Sequence, residues 1–152
     1  MTIHTKYWTT LLPISVEEAW SFFSKPENLK LITPPEMGFE IQSNVHELSM
    51  YPGMIIQYKI KPLFNISMDW ATLITQVQQD EYFVDEQLNG PYSYWHHEHH
   101  FKATAHGTEM NDYLYYALPL GFIGNWVNNL FISNKIDSIF AYRAQAIKTQ
   151  FL

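Results

Sequence analysis

The sequence predicts an α+β fold: one seven-stranded antiparallel sheet, two short helices between its first and second strands, and a long C-terminal helix. Three observations predict it. Apolar and polar residues alternate with a period of two through most of the chain before Pro119. A helix-start signal interrupts that alternation just after Pro13, and the period changes to three and four after Pro119 and Gly121. At 152 residues the chain is long enough for one domain, 1–152, that buries roughly 70% of the surface its unfolded form exposes.

The elements follow in order. Ile3, Thr5, Tyr7, Thr9 and Leu11 share one side of a first strand over residues 3–12, which Pro13 ends. Ser15-Val16-Glu17-Glu18 has the form of a capping box, with the Ser15 hydroxyl serving the Glu18 N–H and the Glu18 carboxylate reaching back. Val16, Ala19, Trp20 and Phe23 give the helix that follows its apolar face. Pro26 suits the first turn of a second short helix carrying Leu29 and Ile32, and Thr33-Pro34-Pro35 stops it.

From Gly38 the period is two again, with Phe39, Ile41, Ser43 and Val45 on one side and a turn at Tyr51-Pro52-Gly53. Met54–Leu63 and Ile66–Gln78 read as adjacent strands, Tyr82–Leu88 as a fifth, a histidine-rich tract as a sixth and Thr108–Leu118 as a seventh. Beyond Gly121, Trp126, Leu130, Asp137, Phe140, Ala144, Ile147 and Phe151 recur at helical spacing, broadened by Val127, Phe131 and Ile136. Gly124-Asn125 is the expected cap, and a helix over about 125–150 would run roughly 39 Å.

Composition narrows the function. Aromatic residues make up 16% of the chain, a fraction that suits either an aromatic-lined hollow or simply an aromatic core. The net charge is −6 with nine Lys and Arg, which argues against nucleic acid as a partner. The absence of cysteine removes disulfides, thiolate metal sites and cysteine nucleophiles together, and is compatible with the cytoplasm. No signal-peptide core and no run of about 18 apolar residues occurs, so no stable membrane insertion is expected. A homo-oligomer is compatible with the sequence but has no residue pattern to support it.

Leu12-Pro13-Ile14 before Val16-Glu17-Glu18-Ala19-Trp20, then Pro26-Glu27-Asn28-Leu29, resembles the first helix pair of the START, birch-pollen-allergen and polyketide-cyclase (SRPBCC) superfamily. Leu31-Ile32-Thr33-Pro34-Pro35, Phe83-Val84-Asp85-Glu86-Gln87, Gly90-Pro91-Tyr92, Trp95-His96-His97-Glu98-His99-His100-Phe101 and Gly107-Thr108-Glu109-Met110-Asn111-Asp112 resemble a bacterial branch of ligand-binding members. So do Tyr116-Ala117-Leu118-Pro119-Leu120-Gly121 and Ile139-Phe140-Ala141-Tyr142-Arg143, and the blocks together span almost the whole chain. The resemblance implies a helix-grip fold, with the curved sheet gripping the long helix around an apolar cavity. It implies as partner a small hydrophobic or amphipathic molecule, lipid- or polyketide-like, with some members catalysing cyclisation or dehydration.

The most informative tract is the histidine strand, where four of seven histidines fall within five positions. Strand alternation puts Trp95, His97, His99 and Phe101 on one face and Tyr94, His96, Glu98 and His100 on the other. Phe83, Asp85 and Gln87 on one neighbouring strand, and Met110, Asp112, Leu114 and Tyr116 on the other, would face the same way as His97 and His99. The candidate ligand-binding residues are therefore Trp70, Asp85, Gln87, Trp95, His97, His99, Phe101, Asp112, Tyr116, Phe140 and Arg143.

Several readings of that island stand side by side. It could orient a polar group of a ligand, act as general acid or base in a cyclase-like reaction, or fix strand register without chemistry. A zinc site of two histidines with Asp85 or Asp112 is the sharper rival, but with no further histidine placed to join, no metal and no cofactor are expected. Arg143, the sole arginine, is either solvated on the helix or turned toward the cavity to meet a carboxylate. The outward Tyr94, His96 and His100 would serve the remaining possibility, a protein-interaction module. No Gly-x-Ser-x-Gly elbow, phosphate loop or His-Glu-x-x-His helix is present.

Overall fold

Alternation in the sequence becomes alternation in burial. Along β7, Gly107–Ala117, the side chains of Thr108, Met110, Asp112, Leu114 and Tyr116 are buried while those between them are half-buried. The computed structural model describes residues 1–152, apart from the side chain of Phe122. The other strands are β1, His4–Leu12, β2, Glu40–Ile41, β3, Ile55–Ile60, β4, Met68–Gln78, β5, Tyr82–Asn89, and β6, Tyr94–Thr104. They form one antiparallel sheet in the order β1-β7-β6-β5-β4-β3-β2, so the histidine strand β6 lies between β7 and β5. Irregular pairing of β4 with β5, between Ala71 and Thr72 and between Ile74 and Gln76, helps bend the sheet into its curve.

Helix α1, Val16–Phe23, starts where the sequence predicts, with Ser15 Oγ accepting from the Glu18 N–H at 3.2 Å. Only this half of the capping box forms among the described residues. A 3₁₀ helix over Pro26–Ile32 follows, with proline in its first turn. The expected strand through Val45 shrinks to Glu40–Ile41. Gln42 and Ser43 both donate to the Gln57 carbonyl, at 2.8 and 3.3 Å, and two residues opposing one end the ladder as a bulge does.

The C-terminal helix departs further from expectation. It begins at Gly121, not near 125, and comprises α2, Gly121–Val127, a single π turn at Asn128–Ile132, and α3, Ser133–Phe151. Gly124 is no cap: a Cβ there would lie 2.3 Å from the Pro119 carbonyl, so glycine is needed for close approach. Gly124, Asn128, Ile132, Ile136 and Phe140 are buried in steps of four. An α-helix turns about 100° per residue, so each step of four overshoots by about 40°, and the wider π turn absorbs part of that drift. Trp126, Leu130 and Phe131, expected on the apolar face, are consequently exposed, and so is Asp137, which was expected on the same face.

Three apolar clusters surround the interior. One joins Trp20 and Phe23 of α1 to Phe83, Phe101 and Ile147, the second joins Leu114 and Tyr116 to Ile132, Ile136 and Phe140, and the third holds Met37, Phe39, Ile60 and Trp70. Between them lies the cavity described below. No helix of the described residues is long and apolar enough to cross a membrane.

Candidate functional site

Strand register assembles the polar island. Asp85 of β5 is directly opposite His97, and Asp112 of β7 is directly opposite His99, so each histidine has a carboxylate beside it and another across the diagonal. His97 Nε2 lies 2.9 Å from Asp112 Oδ1, and His99 Nε2 lies 2.7 Å from Asp85 Oδ2. The two rings are 3.8 Å apart between centroids, tilted by 40°. His97, His99 and Asp112 are buried, and Phe83 stacks on His99 at 4.1 Å while Phe140 meets His97 edge-on at 5.5 Å.

Burial and charge pull these groups in opposite directions. Burial raises the Asp112 carboxyl, but the Arg143 guanidinium and both imidazoles outweigh it and hold the group well below the usual range. Asp85 is likewise lowered, burial being overcome by the His99 bond and by the charges of His97, His99 and Arg143. His97 is lowered, by burial first and by its neighbour His99 second. For His99 the two carboxylates exceed the cost of burial, and its pKa rises. The pole that results is two carboxylates, one guanidinium and a histidine pair whose members favour different protonation states.

Above this pole opens a cavity of about 160 Å³. At roughly 10–15 Å³ for each water it has room for on the order of ten. Its walls are mostly apolar and aromatic, with Phe39, Trp70, Phe83, Tyr92, Trp95 and Phe140 among them. Asp85, His97, His99 and Arg143 also line it. The Arg143 guanidinium sits 5.6 Å from the Phe140 ring centre and 6.0 Å from that of Phe23, so of its two alternatives it takes the inward one, over aromatic faces. Arg143 Nε and His99 Nδ1 are the only buried side-chain polar atoms without a hydrogen-bond partner among the described residues. His99 Nδ1 is 3.2 Å from Asp112 Oδ1, close enough for attraction but not aligned for a bond.

Of the eleven candidate residues, Trp70, Asp85, Trp95, His97, His99, Phe140 and Arg143 line the cavity, and four do not. Asp112 lies beneath the histidines as their partner. Phe101 packs with Trp20 and Phe23 in the neighbouring cluster, and the Tyr116 hydroxyl donates to Asn128 Oδ1 at 2.7 Å. Gln87 is outside the island altogether. Its Nε2 donates to the Tyr92 carbonyl at 2.8 Å and its Oε1 accepts from the Tyr92 N–H at 3.2 Å. Gly90 makes room for this clamp, since a Cβ there would fall 2.4 Å from Gln87 Oε1.

Gln87 thus holds Tyr92 in the cavity wall indirectly. Sequence reasoning missed Tyr92, Lys135 and the two partners of Trp70, Tyr58 and Thr72: the Thr72 hydroxyl accepts from Trp70 Nε1 at 3.1 Å and lies 3.2 Å from the Tyr58 hydroxyl. Lys135 was legible: Lys135, Ile136, Ile139, Phe140 and Arg143 share one face at helical spacing.

No family model and no curated protein sequence matches this chain. Solved structures do. BexL, a di-domain ARO/CYC protein of the BE-7585A biosynthetic pathway, superposes with a TM-score of 0.73 at 10% identity over 98% of this chain and 50% of its own. A Thalictrum norcoclaurine synthase, solved with a transition state analogue, gives 0.67 at 12% identity over 98% and 96% of the two chains. A Staphylococcus aureus protein of unknown function gives 0.70 at 14% identity over 98% and 96%. Similarity at this level of identity speaks for the fold alone. On that footing the chain has the helix-grip fold, shared with BexL, the norcoclaurine synthase and the structure of Ara h 8.0201.

Proposed function

We propose that this chain binds a small amphipathic molecule, its apolar body in the aromatic chamber and its polar end against Arg143 and the histidine pair. One observation carries the reading. The two buried polar atoms left without partners, Arg143 Nε and His99 Nδ1, belong to residues that both line the cavity and both act on Asp85 and Asp112. Buried polar groups are normally satisfied, and an unmet donor in a cavity wall is met by what enters the cavity. A ligand oxygen near Arg143 would meet the first. The small-molecule chemistry named for BexL and for norcoclaurine synthase fits such a use of the fold.

The test is native mass spectrometry of the protein purified from its own host, followed by extraction and analysis of whatever is released. A stoichiometric small molecule of amphipathic character is the expected result. Protein that is consistently ligand-free, together with a filled interior, would contradict it.

A second reading is favoured by the short contacts His99–Asp85 and His97–Asp112, at 2.7 and 2.9 Å. A histidine held by a carboxylate is equipped to move a proton to or from a carbonyl compound in the chamber, as a cyclase-like enzyme would. An activity left unchanged, in rate and pH profile, by His97→Gln and His99→Gln would rule that reading out.

A further inference from the structure

The orientation of the two imidazoles carries information that proton sharing does not use. Asp112 Oδ1 lies 2.9 Å from His97 Nε2 in hydrogen-bond geometry and 3.2 Å from His99 Nδ1, out of line for a hydrogen bond, so one nitrogen of each ring lies beside the same carboxylate oxygen. The other nitrogen of each ring faces Asp85 Oδ2, His99 Nε2 at 2.7 Å and His97 Nδ1 at 3.7 Å. A neutral imidazole carries a single N–H. When those protons sit on His97 Nε2 and His99 Nδ1, beside Asp112, the other two nitrogens, His97 Nδ1 and His99 Nε2, present lone pairs to an anionic oxygen. Asp85, His97 and His99 then hold three electron-rich atoms within 4.8 Å of one another, at the wall of the cavity.

Something positive has to lie among those atoms. A proton on His99 satisfies one contact, and a second proton on His97 would set two imidazolium rings 3.8 Å apart in a buried site. A divalent cation satisfies all three atoms at once. We propose that Asp85, His97 and His99 form a mononuclear site for a divalent transition-metal ion of the zinc type, with Asp112 as the carboxylate that hydrogen-bonds His97 and lies beside His99.

Two imidazole nitrogens and one carboxylate oxygen are an attested zinc ligand set that keeps one position open, and here all three ligand residues line the cavity. Asp112 plays the part of the outer carboxylate that fixes a ligating histidine's tautomer. The charges also balance. Two carboxylates cancel the cation, and Arg143 is left free to meet an anionic group on a bound molecule. The outer face of the same strand has no such convergence: His96 and His100 spend their nitrogens on Glu86 and Glu98, and among the described residues only the inner group brings three ligand atoms together. The inference does not depend on the identity of a cavity ligand.

The full chain, freed of metal with a chelator, is titrated with Co²⁺ followed by its visible d–d bands, and with Zn²⁺ by calorimetry. One equivalent of each is expected to bind. His97→Gln and Asp85→Asn, each checked for native circular dichroism, should lose that equivalent, and Asp112→Asn should weaken it by roughly 10–100-fold. The double variant His96→Gln/His100→Gln should bind as the unaltered protein does. Zinc-edge X-ray absorption on the unaltered protein needs no variant to fold, and should show two imidazole nitrogens. Absence of stoichiometric binding, binding lost in the outer double variant and kept in the inner variants, or an absorption edge without imidazole scattering would each overturn the proposal. Because the probe is metal alone, failure here leaves small-molecule binding to be judged by its own extraction experiment.

Discussion

The two faces of β6 hold the same chemistry in opposite surroundings. Inward, His97 and His99 meet Asp85 and Asp112 under aromatic rings, while outward His96 and His100 meet Glu86 and Glu98 beside Tyr113 and Tyr82. The distances are alike, 2.7 to 3.1 Å on both faces. What differs is water. The outer carboxylates are 41% and 30% exposed, against 17% and 2% for the inner pair. Contact geometry alone therefore says little about the weight of an ion pair; burial decides whether losing a partner strands a charge.

The largest expected effect follows from that difference. Asp112→Ala leaves two buried histidines and Arg143 short of an anion, and should destabilise the fold by about 3–5 kcal/mol in urea denaturation. A loss below about 1 kcal/mol would mean that the inner pole is no more demanding than a surface pair. Next in size is the ligand side of the pole. Arg143→Met keeps much of the stem packing and removes the guanidinium, so affinity for the extracted ligand should fall roughly 10–100-fold, in line with about 1.5–3 kcal/mol for a hydrogen bond to a charged group. Filling the chamber with Ile136→Phe should raise stability by about 0.5–2 kcal/mol while abolishing ligand uptake. An Ile136→Phe variant that still carries ligand would place the binding site elsewhere.

The pH dependence separates the faces by sign. Asp85 and Asp112 are lowered, so their stabilisation is present above the ordinary carboxylate range and is lost as pH falls through their folded values. Near neutrality the inner histidines oppose each other. His99, raised, stabilises fully below its ordinary value and loses that contribution as pH rises through its folded pKa; His97, lowered, costs stability as pH falls below its ordinary value. On the outer face, burial lowers His96 but Glu86 and Glu98 raise it further, and nothing there cancels it. Stability measured from about pH 6 to about pH 8 should thus drift downward because of His96, and His96→Gln should flatten the curve. The smallest effect is Glu98→Gln at constant pH, about 0.2–1 kcal/mol or less.

How much of this was legible in the sequence follows from which rules are periodic. A period of two fixes the face of every residue on a strand, so the division of the histidines, and the placing of Asp85 and Asp112 beside the inner pair, could be read directly. Gln87 obeys the same period yet is not part of the island, because its amide is captured by the backbone of the turn at Gly90–Tyr92, a contact that depends on loop path. The helix face was legible at Ile136 and from Phe140 onward and misread at Trp126, Leu130, Phe131 and Asp137, since a π turn rotates the chain less per residue than a 3.6-residue period assumes. β2 was overestimated because Ser43 and Val45 keep the alternation after the bulge at Gln57 has ended the pairing. The cavity itself arises from how three clusters fail to meet, which no single element announces.

The central claim, a chamber built to hold a small amphipathic molecule against a buried polar pole, is tested most directly by a high-resolution crystal structure of protein purified from its own host. The expected result is elongated density of on the order of ten non-hydrogen atoms along Trp70, Trp95 and Phe140, ending at hydrogen-bond distance from Arg143 Nε. A chamber holding only ordered water, or closed by the rings of Trp70, Trp95 and Phe140, would contradict it.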